Sequence, residues 1–486
     1  MTPMQSTSPA FKHNVDEALA DAGLQRALGN VERGFVPKRR AAVDALPEFE
    51  ALRDQGMAIK NHALAHLDLY LEAYEAKVTA AGGHVHYAED AAAARDVILD
   101  ICKRAGARTV TKGKSMVSEE IGLNDHLAAN GIEPVETDLG EYLIQIRGEH
   151  PSHIIAPAVH LNKEDIEADF RRVHTHLPAD RPLDEPTALL AEARGILRQR
   201  FLAADVGVTG ANFLVAETGT SIIVTNEGNG DLTQILPRVH VVIASVEKIV
   251  PTLEDTAQIL RLLARSATGQ TMSVYTTLST GPRRLEDPDG PEEYHVVILD
   301  NGRTAMLGSE FQDMLRCIRC GACINHCPVY RAIGGHAYGW VYPGPMGSVL
   351  TPALDGLDDS RHLPNASTFC GRCEAVCPMK IPLPKMLRHW REREFERHLQ
   401  PATQRYGLKT WAFVASRPRL YRLATRLAAG FLGLAGRGRG RFSSLPFAGG
   451  WTRHRDLPAP ERPQTFSDLW RAREQAKARA AAGVSS

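Results

Sequence analysis

Seven of the eight cysteines stand in two short runs, each ending in Cys-Pro. The first is Cys317-x-x-Cys320-x-x-Cys323-x-x-x-Cys327-Pro328, and the second is Cys370-x-x-Cys373-x-x-x-Cys377-Pro378. Thiolates at every third residue of a tight loop can wrap one iron–sulfur cubane. The fourth Cys, displaced by three residues, then ligates the neighbouring cluster. The spacing predicts two [4Fe–4S] centres close together and a chain that moves electrons. The swapping rule assigns Cys317, Cys320, Cys323 and Cys377 to cluster 1, and Cys327, Cys370 and Cys373 to cluster 2. Aligned on Cys377-Pro378, the second run should begin with a Cys at position 367, where Ser367 stands. Its fourth iron is left to Ser367, water or another side chain, or is absent in a [3Fe–4S] form.

Competing thiol chemistries fit less well. Disulfides need an oxidising compartment, and the N-terminus lacks the apolar core of a secretory signal. Structural zinc prefers paired Cys-x-x-Cys knuckles. No apolar run reaches the ~18 residues of a membrane span, and Leu420–Gly436 is interrupted by Arg422 and Arg426. Reduced thiolates place the chain in the cytoplasm by default.

Other candidate sites are weaker. Gly113-Lys114-Ser115 resembles the end of a phosphate loop, but Arg108 stands where the motif needs Gly. A strand-to-helix turn, with Lys112 and Lys114 available to an anion, remains. Gly228-Asn229-Gly230 lacks the third glycine of a dinucleotide fingerprint, because Thr233 takes its place. Glu217 and Glu227 fall at strand ends beside glycines, where either a ligand or a turn would account for them. The nineteen histidines include His150, His153, His160, His174 and His176, none at convincing metal spacing. Cys102 lies on an apolar helical face and reads as a buried thiol.

These groups need elements to hold them. Residues 1–75 read as a helical region, clearest over Met57–Val78 and weaker over Phe11–Leu28. From 76 to 303 the pattern alternates β runs with helices. The strand candidates are Thr109–Thr111, His153–Ala156, Phe213–Glu217, Ser221–Thr225, Val239–Ser245, Met272–Thr276 and His295–Leu299. Helices are expected at Ala91–Ala105, Pro186–Ala204 and Leu253–Ala267. This predicts an α/β domain whose mostly parallel sheet is covered on both faces and binds ligands at its carboxyl edge. Residues 304–395 form the two-cluster, ferredoxin-like domain, with Gly334–Pro352 as an ordered connector between the Cys runs. Residues 396–486 form a basic helical region, with a mobile hinge at Arg437–Arg441 and a frayed end.

The net charge of zero hides an asymmetry. Between Lys385 and Ser486 there are 21 Lys and Arg against seven Asp and Glu, and the rest of the chain carries the opposite surplus. Such a tail suits an acidic partner, a membrane surface or a solvated helix. It lacks a nucleic-acid-binding motif.

The order of these features resembles the lactate-utilization protein B family. The likeness is carried by Cys317–Tyr330, Gly335-His336, Gly344-Pro345, Phe369–Pro378 and the tail motif with Asp456, Phe466 and Trp470. The α/β part resembles that family's LUD domain, similar in fold to sugar isomerases and CoA transferases. The resemblance implies an iron–sulfur subunit of a three-protein system oxidising L-lactate to pyruvate. Its partners would be a cysteine-rich, heterodisulfide-reductase-like subunit and a LUD-only subunit, while peripheral membrane contact is a reading of the basic tail alone. The alternatives are another 2-hydroxy acid, or a LUD-domain enzyme with regulatory clusters. The family carries the same short second Cys run, and the resemblance transfers no catalytic residue.

Overall fold

The structure is a computed structural model describing residues 6–436, 438–445, 449–452, 455–460 and 464–483. It divides into two compact units, Met1–Glu394 and Phe395–Ser486. Of the expected hinge, Arg437 lies outside the described residues, as do residues 484–486 of the expected frayed end and residues 1–5 of the N-terminal region.

Among the described residues, ten strands build the first unit: β1 (His84–Ala88), β2 (Thr109–Gly113), β3 (Glu133–Glu136), β4 (Val206–Gly210), β5 (Phe213–Val215), β6 (Thr220–Thr225), β7 (Val239–Ser245), β8 (Ile249–Val250), β9 (Tyr275–Ser279) and β10 (Glu293–Leu299). Six of them form one sheet in the order β1-β10-β7-β4-β2-β3, every neighbouring pair parallel. The central strands β4 and β7 are buried along their whole length, as expected where helices cover both faces. On one face Ala94, Ile98, Leu99 and Cys102 pack onto Val110, Val208, Val241 and Val297. On the other, Ala63, Leu67, Tyr74 and Val78 pack onto Val242, Ala244, Val296 and Ile298. A second sheet, β8-β5-β6-β9, combines one parallel and two antiparallel pairings.

Several expectations are corrected. The single helix expected over Met57–Val78 is two helices, Phe49–Ala65 and Leu67–Ala80, broken at His66. Phe11–Leu28 likewise splits where Asp21 caps Ala22–Asp44 through the N–H groups of Gly23 and Leu24. His153–Ala156 is not a strand. The His153 ring accepts from the N–H of Ile155 and lies near Asn325 Oδ1, which bends the segment against the first Cys run. The strand expected at Met272–Thr276 starts at Tyr275. Strands β1, β3 and β4 carry His, Pro, Glu or Gly at positions that hide the β pattern, and their pairing is decided by the sheet.

The glycine-rich connector holds a helix over Gly344–Leu354. It also docks by backbone: a Cβ on Gly335 would sit 1.7 Å from the Ser152 carbonyl oxygen. In the second unit, helices Ala402–Ala415 and Pro418–Gly436 bury almost none of their side chains, and Phe466–Gly483 follows.

Candidate iron–sulfur centres and an adjoining cleft

The two Cys runs fold alike. Arg319 and Phe369, each one residue before a Cys, are left-handed at φ +59° and +55°. The glycines just after those cysteines, Gly321 and Gly371, sit at +71° and +76°. Left-handed backbone at a non-glycine residue is costly and persists where the surroundings demand it. In both runs it turns the loop back on itself. A short helix follows each loop, Ala322–Asn325 and Arg372–Val376. This match pairs Cys320 with Cys370, Cys323 with Cys373, and Cys317 with Ser367.

Two voids result. One is lined by Cys317, Cys320, Cys323 and Cys377, with Ile318, Met346, Met379 and Ile381 as hydrocarbon walls. The other is lined by Cys327, Cys370 and Cys373 together with Ser367. Each void thus draws cysteines from both runs. Ser367 Oγ accepts the Phe369 N–H at 3.2 Å. Cys370 is exposed, while Cys320, Cys323, Cys327, Cys373 and Cys377 are buried.

The donor set fits iron–sulfur clusters. Burial, then the mutual charge of neighbouring thiols, pushes Cys323 well above the usual thiol range. Burial pushes Cys373 up to about 12 and Cys377 to about 11. Backbone N–H groups oppose the rise, from Glu374 toward Cys373 and from Ile381 and Met379 toward Cys377. Thiols so crowded ionise when a cationic centre joins them. The surrounding N–H groups then tune that centre.

Basic side chains brace the first void. Arg53 donates to the Cys377 carbonyl from Nε at 3.0 Å and Nη2 at 2.7 Å. Arg39 donates to the Val376 carbonyl at 2.8 Å. Behind Cys317 lies a buried polar cluster. Arg303 pairs with Glu120 at 2.5 Å and lies 3.2 Å from Glu247, while Arg319 Nη2 donates to Glu247 Oε1 at 3.2 Å. Tyr342 and Asn301 also donate to Glu120, each at 2.7 Å. Burial pushes the Lys60 ammonium down to about 7 and that of Lys248 to about 8. Burial raises Glu247, but Arg303, Arg319 and Lys248 outweigh it and hold the carboxyl near 2.

A cleft of about 150 Å³ opens at the carboxyl edge of the six-stranded sheet. Lys114 follows β2, Gly210 ends β4, and Lys248 lies just beyond β7. Ile223, Ile243 and Leu263 give it hydrocarbon walls, and Arg319 and Cys320 close one side. Glu141 lines it too. Its Oε2 accepts the Lys114 N–H at 3.0 Å, and burial, then Glu136 and Asp138, pushes its carboxyl well up.

The remaining candidates have structural partners. Lys112 is enclosed by Glu119 and Glu136, and Ser115 caps the helix after β2, so this segment is a strand-to-helix turn. Lys114 pairs with Asp138 at 2.9 Å and Glu227 at 3.2 Å. Glu217 accepts the Leu253 N–H at 3.0 Å, at the start of the Leu253–Ala267 helix. Burial pushes the Cys102 thiol up to about 12, consistent with an inert core group. Glu149, His160 and His336 bring potential ligating atoms within 4.8 Å of one another. His160 is held by Glu149 at 2.8 Å, and His336 by the His150 carbonyl at 2.7 Å. The cleft residues Lys248 and Arg319 were not singled out by spacing. Their only sequence signal is a cation just past a strand end and another inside a Cys loop.

The LUD domain family matches residues 71–299, a 4Fe–4S dicluster domain matches 313–381, and the C-terminal domain of lactate utilisation protein B matches 372–475. Lactate utilization protein B of Geobacillus thermodenitrificans is 43% identical over 477 residues, covering 97% of this chain and 99% of its own. The chain belongs to the lactate utilization protein B family. The relative from Bacillus velezensis is 40% identical over 482 residues, covering 98% and 99%. That from Macrococcus caseolyticus is 42% identical over 462 residues, covering 94% and 96%. A crystal structure of a DUF162 family protein from Deinococcus radiodurans covers 48% of this chain and 98% of its own, at 14% identity. Its TM-score of 0.27 is too low to argue a shared fold. In this member of the lactate utilization protein B family a LUD domain precedes a 4Fe–4S dicluster domain.

Proposed function

We propose that this protein is the electron-carrying subunit of a system that oxidises L-lactate to pyruvate. In this reading Cys317, Cys320, Cys323 and Cys377 hold one [4Fe–4S] cluster. Cys327, Cys370 and Cys373 would hold the second, in the void that Ser367 also lines. The observation that carries the proposal is the placement of the two thiol-lined voids. The first shares Cys320 with the cleft at the sheet edge, and the second includes the exposed Cys370. When bound, the clusters supply one-electron carriers that accept a two-electron oxidation stepwise. The chain's own residues hold them: Arg53 and Arg39 clamp the Val376-Cys377 backbone, and the Arg319–Glu247 pair fixes the first loop.

The family relationship supports the finer points of the reading. We take the partners to be a cysteine-rich, heterodisulfide-reductase-like subunit and a LUD-only subunit, acting together in the cytoplasm. The carboxyl-edge cleft agrees with kinship between the LUD sheet and the sugar-isomerase and CoA-transferase group.

The second unit supports peripheral contact with an anionic membrane. Among the described residues, no helix is long and apolar enough to cross a membrane. Leu423, Leu427, Phe431 and Leu434 are each more than half exposed, and their spacing of four, four and three places them along one helical face. Arg419, Arg422 and Arg426 share that helix, as an interfacial helix requires.

Electron paramagnetic resonance on the anaerobically purified native complex tests the main proposal. L-lactate should produce reduced-cluster signals, and spin counting should give two centres. Signals that arise only with dithionite would remove this chain from the lactate electron path.

A further inference from the structure

We propose that the cleft between the sheet edge and the first Cys loop binds a small organic carboxylate, held by Lys248 and Arg319. Four observations carry the inference. Lys248 lines the cleft with only 6% of its residue surface exposed, and among the described residues its ammonium makes no hydrogen bond or close ion pair, its nearest negative charge being the already engaged Glu247. Arg319 lines the same cleft, and its buried Nη1 has no hydrogen-bond partner. Its Nη2 is engaged by Glu247 and its guanidinium lies 4.8 Å from the Tyr342 ring, so the free Nη1 is held by a guanidinium that cannot swing away. Cations also outnumber carboxyl groups around the cleft, with Arg303, Arg319, Lys248 and Lys60 against Glu120, Glu247 and Glu141.

The buried, unsatisfied guanidinium N–H of Arg319 is expensive to leave without an acceptor, and the Lys248 ammonium beside it in the cleft wall offers a second donor. One carboxylate satisfies both, since its two oxygens accept from separate donors. The hydrocarbon walls of Ile223, Ile243, Leu263 and Ala267 suit a short carbon skeleton. At about 150 Å³ the cleft is smaller than pockets for drug-sized ligands. Glu141 lines the cleft as well, which adds a carboxyl group able to meet a hydroxyl or keto oxygen.

This inference deepens the proposed lactate reading and rests on it for the ligand class. It adds that the LUD domain and the first Cys loop build one site together, and that bound ligand lies against Cys320.

The test is calorimetric titration of the full-length, anaerobically purified, cluster-loaded protein with L-lactate, pyruvate and, separately, inorganic phosphate. L-lactate or pyruvate should bind, and Lys248→Met should weaken binding at least about tenfold with iron and sulfide content unchanged. A second variant, Ala267→Leu, narrows the cleft from the helix side and should weaken binding while leaving Lys248 in place. Carboxylate binding unaffected by both variants would overturn the site. So would binding of phosphate alone, or of none of the three probes at millimolar concentration. These results are independent of lactate-driven cluster reduction in the native complex, so failure of the site and failure of the electron-carrier reading are told apart.

Discussion

Arg319 Nη2 donates to Glu247 Oε1 across 3.2 Å, tying the loop of the first Cys run to the segment just beyond β7. This bond joins the LUD sheet to the iron–sulfur domain at a shared wall. Arg319 pays for the position with left-handed backbone at φ +59°, while Arg303 and Glu120 stiffen the wall from behind.

The two thiol-lined voids predict separable cluster losses. Cys323→Ser should remove the first centre and Cys373→Ser the second. Each should lower iron from about eight to about four atoms per chain. Iron and sulfide analysis of anaerobic protein checks this, and loss of all iron from either variant would contradict independent centres.

Ser367 matches Cys317 in the paired loops and lines the second void. Ser367→Cys should complete a four-thiolate set and diminish any [3Fe–4S] signal that appears on exposure to air. Paramagnetic resonance of oxidised protein compares the two forms, and an unchanged signal would place the fourth ligand elsewhere.

Arg303 is fully buried and faces two carboxylates, Glu120 and Glu247. Arg303→Met leaves both without their main partner, which costs about 3–5 kcal/mol. The thermal midpoint should fall by several degrees. Glu120→Gln, which keeps the shape and the hydrogen bonds to one oxygen, should cost less.

His240 sets a pH dependence. It lies in β7, where Thr209 Oγ1 is 2.8 Å from its Nε2, and burial pushes it down to about 3. The unfolded chain takes up this proton below its ordinary value near 6.5, whereas the folded chain does not until about 3. Stability is therefore intact at neutral pH and is lost as pH falls between those values. At pH 5 the loss is about 2 kcal/mol. Comparing urea unfolding at pH 7.5 and pH 5, His240→Gln should lose that much less than the wild type. Equal losses would refute the assignment.

The basic second unit predicts salt-sensitive membrane binding. Flotation with anionic vesicles should carry the full chain, and ~0.5 M salt should weaken the association. Leu427→Glu with Phe431→Glu should abolish flotation with iron content unchanged. Retained binding would move the contact off this face.

The Leu253–Ala267 helix and strand β7 were legible in sequence to the residue, since both carry unbroken periodicity. The pairing of β1, β3 and β4 was not, because a neighbouring strand supplies the hydrogen bonds that a weak local pattern cannot. The Cys runs were readable for a related reason: within a tight loop, sequence spacing is spatial spacing. By itself the sequence determined the family, the iron–sulfur character and the missing cysteine at Ser367. Only the tertiary structure decided what lies against those thiols. Arg319 meets Glu247, and Lys248 faces the cleft, because packing brings distant segments within a few ångströms, and no local spacing encodes that distance.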